Sequence, residues 1–288
     1  MPDFLLEIGV EEIPARMMDA AADELASKVE FLLVGQMLHS GGRDFAEKLV
    51  TPRRLAVLVR GIEEKQRDAQ EEVIGPAYEI GFKDGKPTPA ALGFAKKTNV
   101  PIEQFIENAK TAAKGAKMST LVSKPGRQAA QVLSELLPKE ITSIYWAKNM
   151  YWRSGKPERF VRPVRWIVAM LDSEIIPLEF AGIKAGNWSR GHRILGPAQI
   201  AVSSPSQYTE MLQEAHVLTL RSDREHMIRK ALDAATRTVS GARWREDAEL
   251  LKTVVNLTEW PSAILGNFDQ QFLSLPEEVL VTVMRDHQ

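Results

Sequence analysis

Near the start of the chain, seven consecutive residues, Phe4, Leu5, Leu6, Glu7, Ile8, Gly9 and Val10, place a single acid among apolar and small side chains. A run of this length and composition reads as a buried strand, and the residues after it narrow how it can be used. Glu11, Glu12 and Pro14 suit a helix N-terminus, where the dipole favours negative charge and proline fits the first turn. Met17, Met18, Ala21, Ala22, Leu25, Val29, Leu32 and Leu33 keep the 3 and 4 spacing of one helical face, predicting a long helix that stops before Gly41 and Gly42. Residues 55–62 (LAVLVRGI) are rich in strand formers and predict a second strand beside the first, a β-α-β opening. Glu7 must then face solvent by alternation or be paired, with Arg16, Arg53 or Arg54 as partner. A structural ion pair is the preferred reading, and Glu7 with Arg16 is the pair expected.

Further along, residues 63–72 read as a solvated acidic linker, Gly75-Pro76, Asp84-Gly85 and Pro87 as turns, and 89–98 as a short helix. Next come a helical turn near 101–108, a strand at 118–122 and a helix at 126–137 closed by Pro138. Residues 165–171 and 174–180 flank Asp172-Ser173 as a hairpin whose second strand Pro177 confines to an edge. From Pro205 the pattern is helical: 206–216, 223–239 with Ser222 as N-cap and Glu225 completing a capping box, 246–260, and 276 to the end. The fold class expected is α+β, a mixed sheet body over 1–200 and a mainly helical region over 201–288. The last helix has no stop signal of its own and reads as a cut within a longer chain.

Several chemistries find no support. The chain has no cysteine, which removes disulfides, thiol nucleophiles and cysteine-ligated metals. His39, His192, His216, His226 and His287 show no i, i+4 pair and no HExxH, so no metal site is expected. No apolar run approaches a membrane span, and the opening residues turn acidic too early for a signal peptide, so the expected location is cytoplasmic. Residues 81–87 (GFKDGKP) have the wrong spacing for a phosphate loop and lack its hydroxyl, which leaves a hairpin turn. Residues 117–120 (KMST) lack the second lysine of an ATP-binding lysine loop. Adjacent carboxylates such as Glu11-Glu12 and Glu277-Glu278 open predicted helices and do not converge on one substrate atom. No catalytic residue is nominated.

Charge is unevenly placed. Residues 144–193 hold nine Lys/Arg against four Asp/Glu, in a chain whose net charge is −1. Within this stretch, 145–166 (YWAKNMYWRSGKPERFVRPVRW) interleaves aromatic rings with Arg159, Arg162, Arg165 and Trp166 among others, and 190–193 (RGHR) adds Arg190, His192 and Arg193. Guanidinium groups fork onto phosphate oxygens and flat rings stack on bases, which suits RNA. Gly191 would also permit close backbone approach to a phosphate. The same residues equally suit core packing and pairing with the protein's own carboxylates.

Four stretches taken in order carry a resemblance: LLEIGVEEIPAR (5–16), TPRRLAVLV (51–59), RFVRPVRW (159–166) with RGHR (190–193), and TEWPSAILGNF (258–268) through VMRDHQ (283–288). Together they resemble the N-terminal part of the β subunit of bacterial two-subunit glycyl-tRNA synthetase. The resemblance implies a part in an α2β2 assembly that joins glycine to tRNA(Gly) with ATP. In that family the α subunit holds the catalytic site with ATP and Mg2+, so this chain would hold no cofactor, and the β subunit supplies tRNA binding and subunit docking. It also implies a module similar to the B3/B4 domain of the phenylalanyl enzyme and a longer chain with an HD-like region and an anticodon-binding domain. The RNA-binding or docking candidates are Arg53, Arg54, Arg159, Arg162, Arg165, Trp166, Arg190, His192 and Arg193. Two other readings stay open, a purely structural or α-docking module and an amino-acid-binding, editing-like domain.

Overall fold

The apolar run at the start forms β1 (Phe4–Val10), and all seven of its residues are buried. It is followed by α1 (Ala15–Gly35), β2 (Glu47–Thr51), β3 (Arg54–Val59), α2 (Ala129–Thr142), β4 (Val164–Leu171) and β5 (Glu174–Ile175). The five strands make one antiparallel sheet in the order β2-β3-β1-β4-β5. This computed structural model describes residues 1–113 and 115–286, so His287 lies outside the described residues. The opening is β-α-β-β, because 47–51, which the local pattern did not single out, pairs with β3 across a two-residue turn.

Successive side chains of a strand point to opposite faces, and both faces of β1 are covered. Phe4, Leu6, Ile8 and Val10 pack with Met18, Leu25, Val29 and Leu33 of α1 and with Val132, Leu133, Leu137 and Ile141 of α2. On the other face Leu5 packs with Trp166, Val168 and Met170 of β4 and with Tyr208, Leu212 and Val217. Glu7 has the parity of Leu5, so it enters this second layer and has no solvent face to choose. Helix α2 runs through Pro138 to Thr142: proline removes one backbone hydrogen bond, while Leu137 and Ile141, both fully buried, hold the last turn in place.

The chain divides into two units, one of Met1–Glu64 with Gln128–Gln288 and one of Lys65–Arg127. This differs from the boundary expected near residue 200. The helical stretch is stitched to the sheet: Val50 N–H donates to the Thr219 carbonyl, Leu218 N–H to that of Glu259, and Asn256 Nδ2 to Asp19 Oδ1 of α1. Its helices are Tyr208–Glu214, Arg221–Thr236, Ala248–Val255 and Glu277–Asp286. Helix Arg221–Thr236 starts one residue before Ser222, so Ser222 is not its N-cap and Glu225 pairs with Arg229 instead. The sheet expected to be mixed is antiparallel throughout, and with these helices it makes the fold α+β.

The Lys65–Arg127 unit pairs Ala69–Ala77 with Lys117–Lys124 in antiparallel register, shifted after Ile74 at the Gly75-Pro76 step. One face of this ribbon packs through Met118 on Ala91, Phe94 and Phe105. The other face is open and bears Glu72 and Leu121, which is why polar residues 69–72 resemble a linker in sequence. Asp84 and Gly85, both at positive φ, turn the small hairpin Phe82–Lys83/Lys86–Pro87.

Candidate nucleic-acid interface

Register places Thr51, Arg54, Gly9 and Trp166 opposite one another in a row across β2, β3, β1 and β4. A side chain at Gly9 would overlap the Trp166 indole, so glycine is what lets the ring lie across β1. Glu7 lies two residues away on the same face and accepts hydrogen bonds at Oε1 from Trp166 Nε1 (2.9 Å) and Ser189 Oγ (2.8 Å). Its ionic partner is Arg54, with Nη1 4.0 Å away. Arg16 is exposed on α1 and takes no part. The pairing expected from the sequence is therefore corrected: Arg16 lies in the first turn of α1, on the solvent side, while Arg54 projects into the layer that Glu7 enters.

Arg54 is wholly buried and needs more than one counter-charge. The second comes from Glu259, 3.3 Å from Arg54 Nη2, which also accepts from Thr51 Oγ1 (2.7 Å) and Arg53 Nη1 (3.4 Å). Burial alone would lower the Arg54 pKa, but Glu259 and Glu7 outweigh it and the net shift is upward. For Arg53 burial prevails over the attraction of Glu259, and its pKa falls. Burial raises the Glu7 carboxyl, against the pull of Arg54, Ser189 and Trp166. The Tyr208 hydroxyl is pushed well up, by burial first and by Glu7 second. Arg224, on the neighbouring helix, is lowered to about 10 by burial and donates to the Val255, Leu218 and Thr219 carbonyls.

The two buried arginines also hold the 190–197 loop. Arg54 Nη2 donates to the Arg190 carbonyl (2.8 Å) and Arg53 Nη1 to that of Gly191 (3.2 Å). The loop closes on itself: Gly191 N–H donates to the Pro197 carbonyl, His192 N–H to that of Ala215, and Gly196 N–H to that of His192. His192 Nδ1 accepts from the Ile194 and Leu195 N–H groups, which puts the neutral ring's proton on Nε2. A Cβ on Gly191 would lie 2.8 Å from the Pro197 carbonyl oxygen. Gly191 therefore serves loop packing, and its N–H is engaged by the Pro197 carbonyl.

Between this loop and the end of β1 lies a cleft of about 580 Å³, lined by Arg53, Arg165, Trp166, Arg190, His192 and Arg193 together with Glu11. Six of the nine residues nominated from sequence thus converge. Arg54 lies beneath the cleft; exposed Arg159 does not line it, and neither does Arg162, whose Nε donates to the Glu12 carbonyl. Glu11 and Glu12 are not first-turn residues of α1, which begins at Ala15. Glu11 bridges Arg165 (2.6 Å) and Arg193 (3.5 Å), and Glu12 meets Arg193 at 3.1 Å. Arg190 places its guanidinium carbon over the Trp166 ring, 5.0 Å from its centre, and has no carboxylate within salt-bridge range among the described residues. Sequence reasoning missed Glu259, Ser189 and Tyr208 as partners; nothing local marks them, since each arrives from a distant part of the chain.

The arrangement can hold an anion on solvated guanidiniums over a rigid, charge-balanced floor. Among the described residues no group of three or more acids and histidines could hold a metal, and no helix is long and apolar enough to cross a membrane.

Residues 4–288 match the family model described as glycyl-tRNA synthetase beta subunit. Among curated relatives, the glycine–tRNA ligase beta subunit of Acidobacterium capsulatum is 54% identical over 289 residues, covering 100% of this chain. Those of Gloeothece citriformis and Bacillus subtilis are 39% and 38% identical over 292 residues. The chain spans 40% of the length of the first two relatives and 41% of the third.

Proposed function

Because the chain belongs to the glycyl-tRNA synthetase beta subunit family, we propose that it serves the ATP-dependent attachment of glycine to tRNA(Gly), binding the tRNA and docking the α subunit of an α2β2 assembly in the cytoplasm. On this reading the reaction takes place on the α subunit, with its ATP and Mg2+, and the chain described here positions RNA. The observation that supports it is the cleft: Arg165, Arg190 and Arg193 converge, solvent-accessible, on a floor of buried and mutually compensated charges. Phosphate contacts of this kind give affinity and orientation without base specificity.

Charging by the full-length β subunit reconstituted with its α partner tests this. Changing Arg165, Arg190 and Arg193 to Ala should raise the KM for tRNA and flatten its salt dependence, by a log–log slope of roughly 0.7–0.9 per lost phosphate contact. Normal charging with an unchanged salt slope would remove the RNA role. A structural reading is favoured for three of the nominated residues: Arg53, Arg54 and Trp166 are buried and act as braces of the cleft.

A further inference from the structure

Resting on the RNA reading of the cleft, we infer that it takes one unpaired nucleotide, with the base laid on the guanidinium of Arg190 and the phosphate held by Arg165 and Arg193. Four arginines line the cleft, and among the described residues Arg190 alone has no carboxylate partner; Arg53 is bound to Glu259, Arg165 to Glu11, and Arg193 to Glu11 and Glu12. Arg190 is instead placed over the Trp166 ring, its guanidinium carbon 5.0 Å from the ring centre, and its carbonyl is fixed by Arg54. A guanidinium held over one ring by cation–π attraction can take a second ring as well, because its plane is delocalised and weakly hydrated.

The surroundings favour a nucleotide over a bare anion. The N–H groups of Gly191, His192, Ile194, Leu195 and Gly196 are all engaged within the protein, so recognition falls to side chains. Val10, Pro197 and Ala198, which line the same cleft, give the site an apolar margin suited to the flank of a base. His192, whose Nδ1 is taken up as an acceptor by the loop, offers Nε2 as a donor to a sugar hydroxyl or phosphate oxygen. A volume of about 580 Å³ is of the size that holds a small ligand. A duplex buries its base faces in the stack and would offer this recess only its backbone.

Fluorescence anisotropy of the 288-residue chain with a labelled single-stranded oligoribonucleotide and with a blunt-ended two-strand RNA duplex separates these cases. Arg190→Lys keeps the charge and loses the planar face, and should weaken single-strand binding about tenfold while leaving duplex binding and both salt slopes unchanged. Arg60→Lys, at an exposed arginine outside the cleft, should leave both ligands unaffected. Equal effects of Arg190→Lys on the two ligands, or no effect on either, would overturn the nucleotide site and leave the general RNA reading standing. Absence of binding to both RNAs would overturn the RNA reading itself and this inference with it.

Discussion

Arg54 Nη2 lies 3.3 Å from Glu259 Oε1, joining a strand near the start of the chain to a segment close to its end. Both are buried, and the same carboxylate serves Thr51 and Arg53. One acid thus compensates two guanidiniums that in turn hold the carbonyls of Arg190 and Gly191, so the geometry of the cleft depends on a residue outside it.

Replacing Glu259 by Ala should therefore be costly. It leaves Arg53 without its carboxylate and Arg54 with only Glu7, and removing one partner of a buried pair costs about 3–5 kcal/mol. Urea unfolding of Glu259→Ala, with Glu259→Gln retaining the Thr51 bond and losing less, measures this. A midpoint unchanged in both variants would contradict the network.

Gly9→Ala should destabilise by about 1–3 kcal/mol, the usual penalty of overpacking. The new methyl overlaps the Trp166 indole, and the central strand has paired neighbours on both sides that block a backbone shift. Near-ultraviolet circular dichroism and the thermal midpoint report the effect. An unperturbed tryptophan signal would show that the ring has room to move.

Glu7 carries a pH dependence of definite sign. Burial raises its pKa above the ordinary 4.5, so the folded chain binds this proton more tightly than the unfolded chain. Its contribution to stability is full below the ordinary value and declines as pH rises through the raised one. Across that window the stability of the unmodified chain should fall relative to Glu7→Gln, which cannot titrate. Urea midpoints of the two proteins taken at a series of pH values test this, and a constant difference would refute it.

Glu11 competes with any anion for Arg165 and Arg193. Its ion pairs are exposed, so Glu11→Gln should change stability by less than about 1 kcal/mol. RNA affinity at low salt should rise, because two guanidiniums lose a resident carboxylate. Anisotropy titration with RNA decides the point, and unchanged or weaker binding would place RNA elsewhere.

Local pattern was informative wherever one segment's burial follows from its own composition. The strand at 4–10 and the face of α1 were legible because an apolar run and a 3 and 4 spacing leave few alternatives. The turn at Asp172 was legible from its backbone constraint, but the second strand expected over 174–180 stops at Ile175, and beyond Pro177 Glu179–Phe180 pairs with Ile183–Lys184 instead. By contrast 69–77 was missed because its ribbon covers only one face, and the Arg221–Thr236 helix began before its best local cap.

The cleft divides along the same line. Residue types concentrated in 159–166 and 190–193 announced a cationic surface, and the structure brings most of them together. Which arginines are braces and which are exposed was not legible, because Arg53 and Arg54 are buried only through Glu7, Ser189, Tyr208 and Glu259, each supplied by another part of the chain. Charge and hydropathy belong to a residue and can be read in order along the chain. Burial and ion pairing are properties of two or more segments at once, so they exist only after β1, β3, β4 and the C-terminal helices have met.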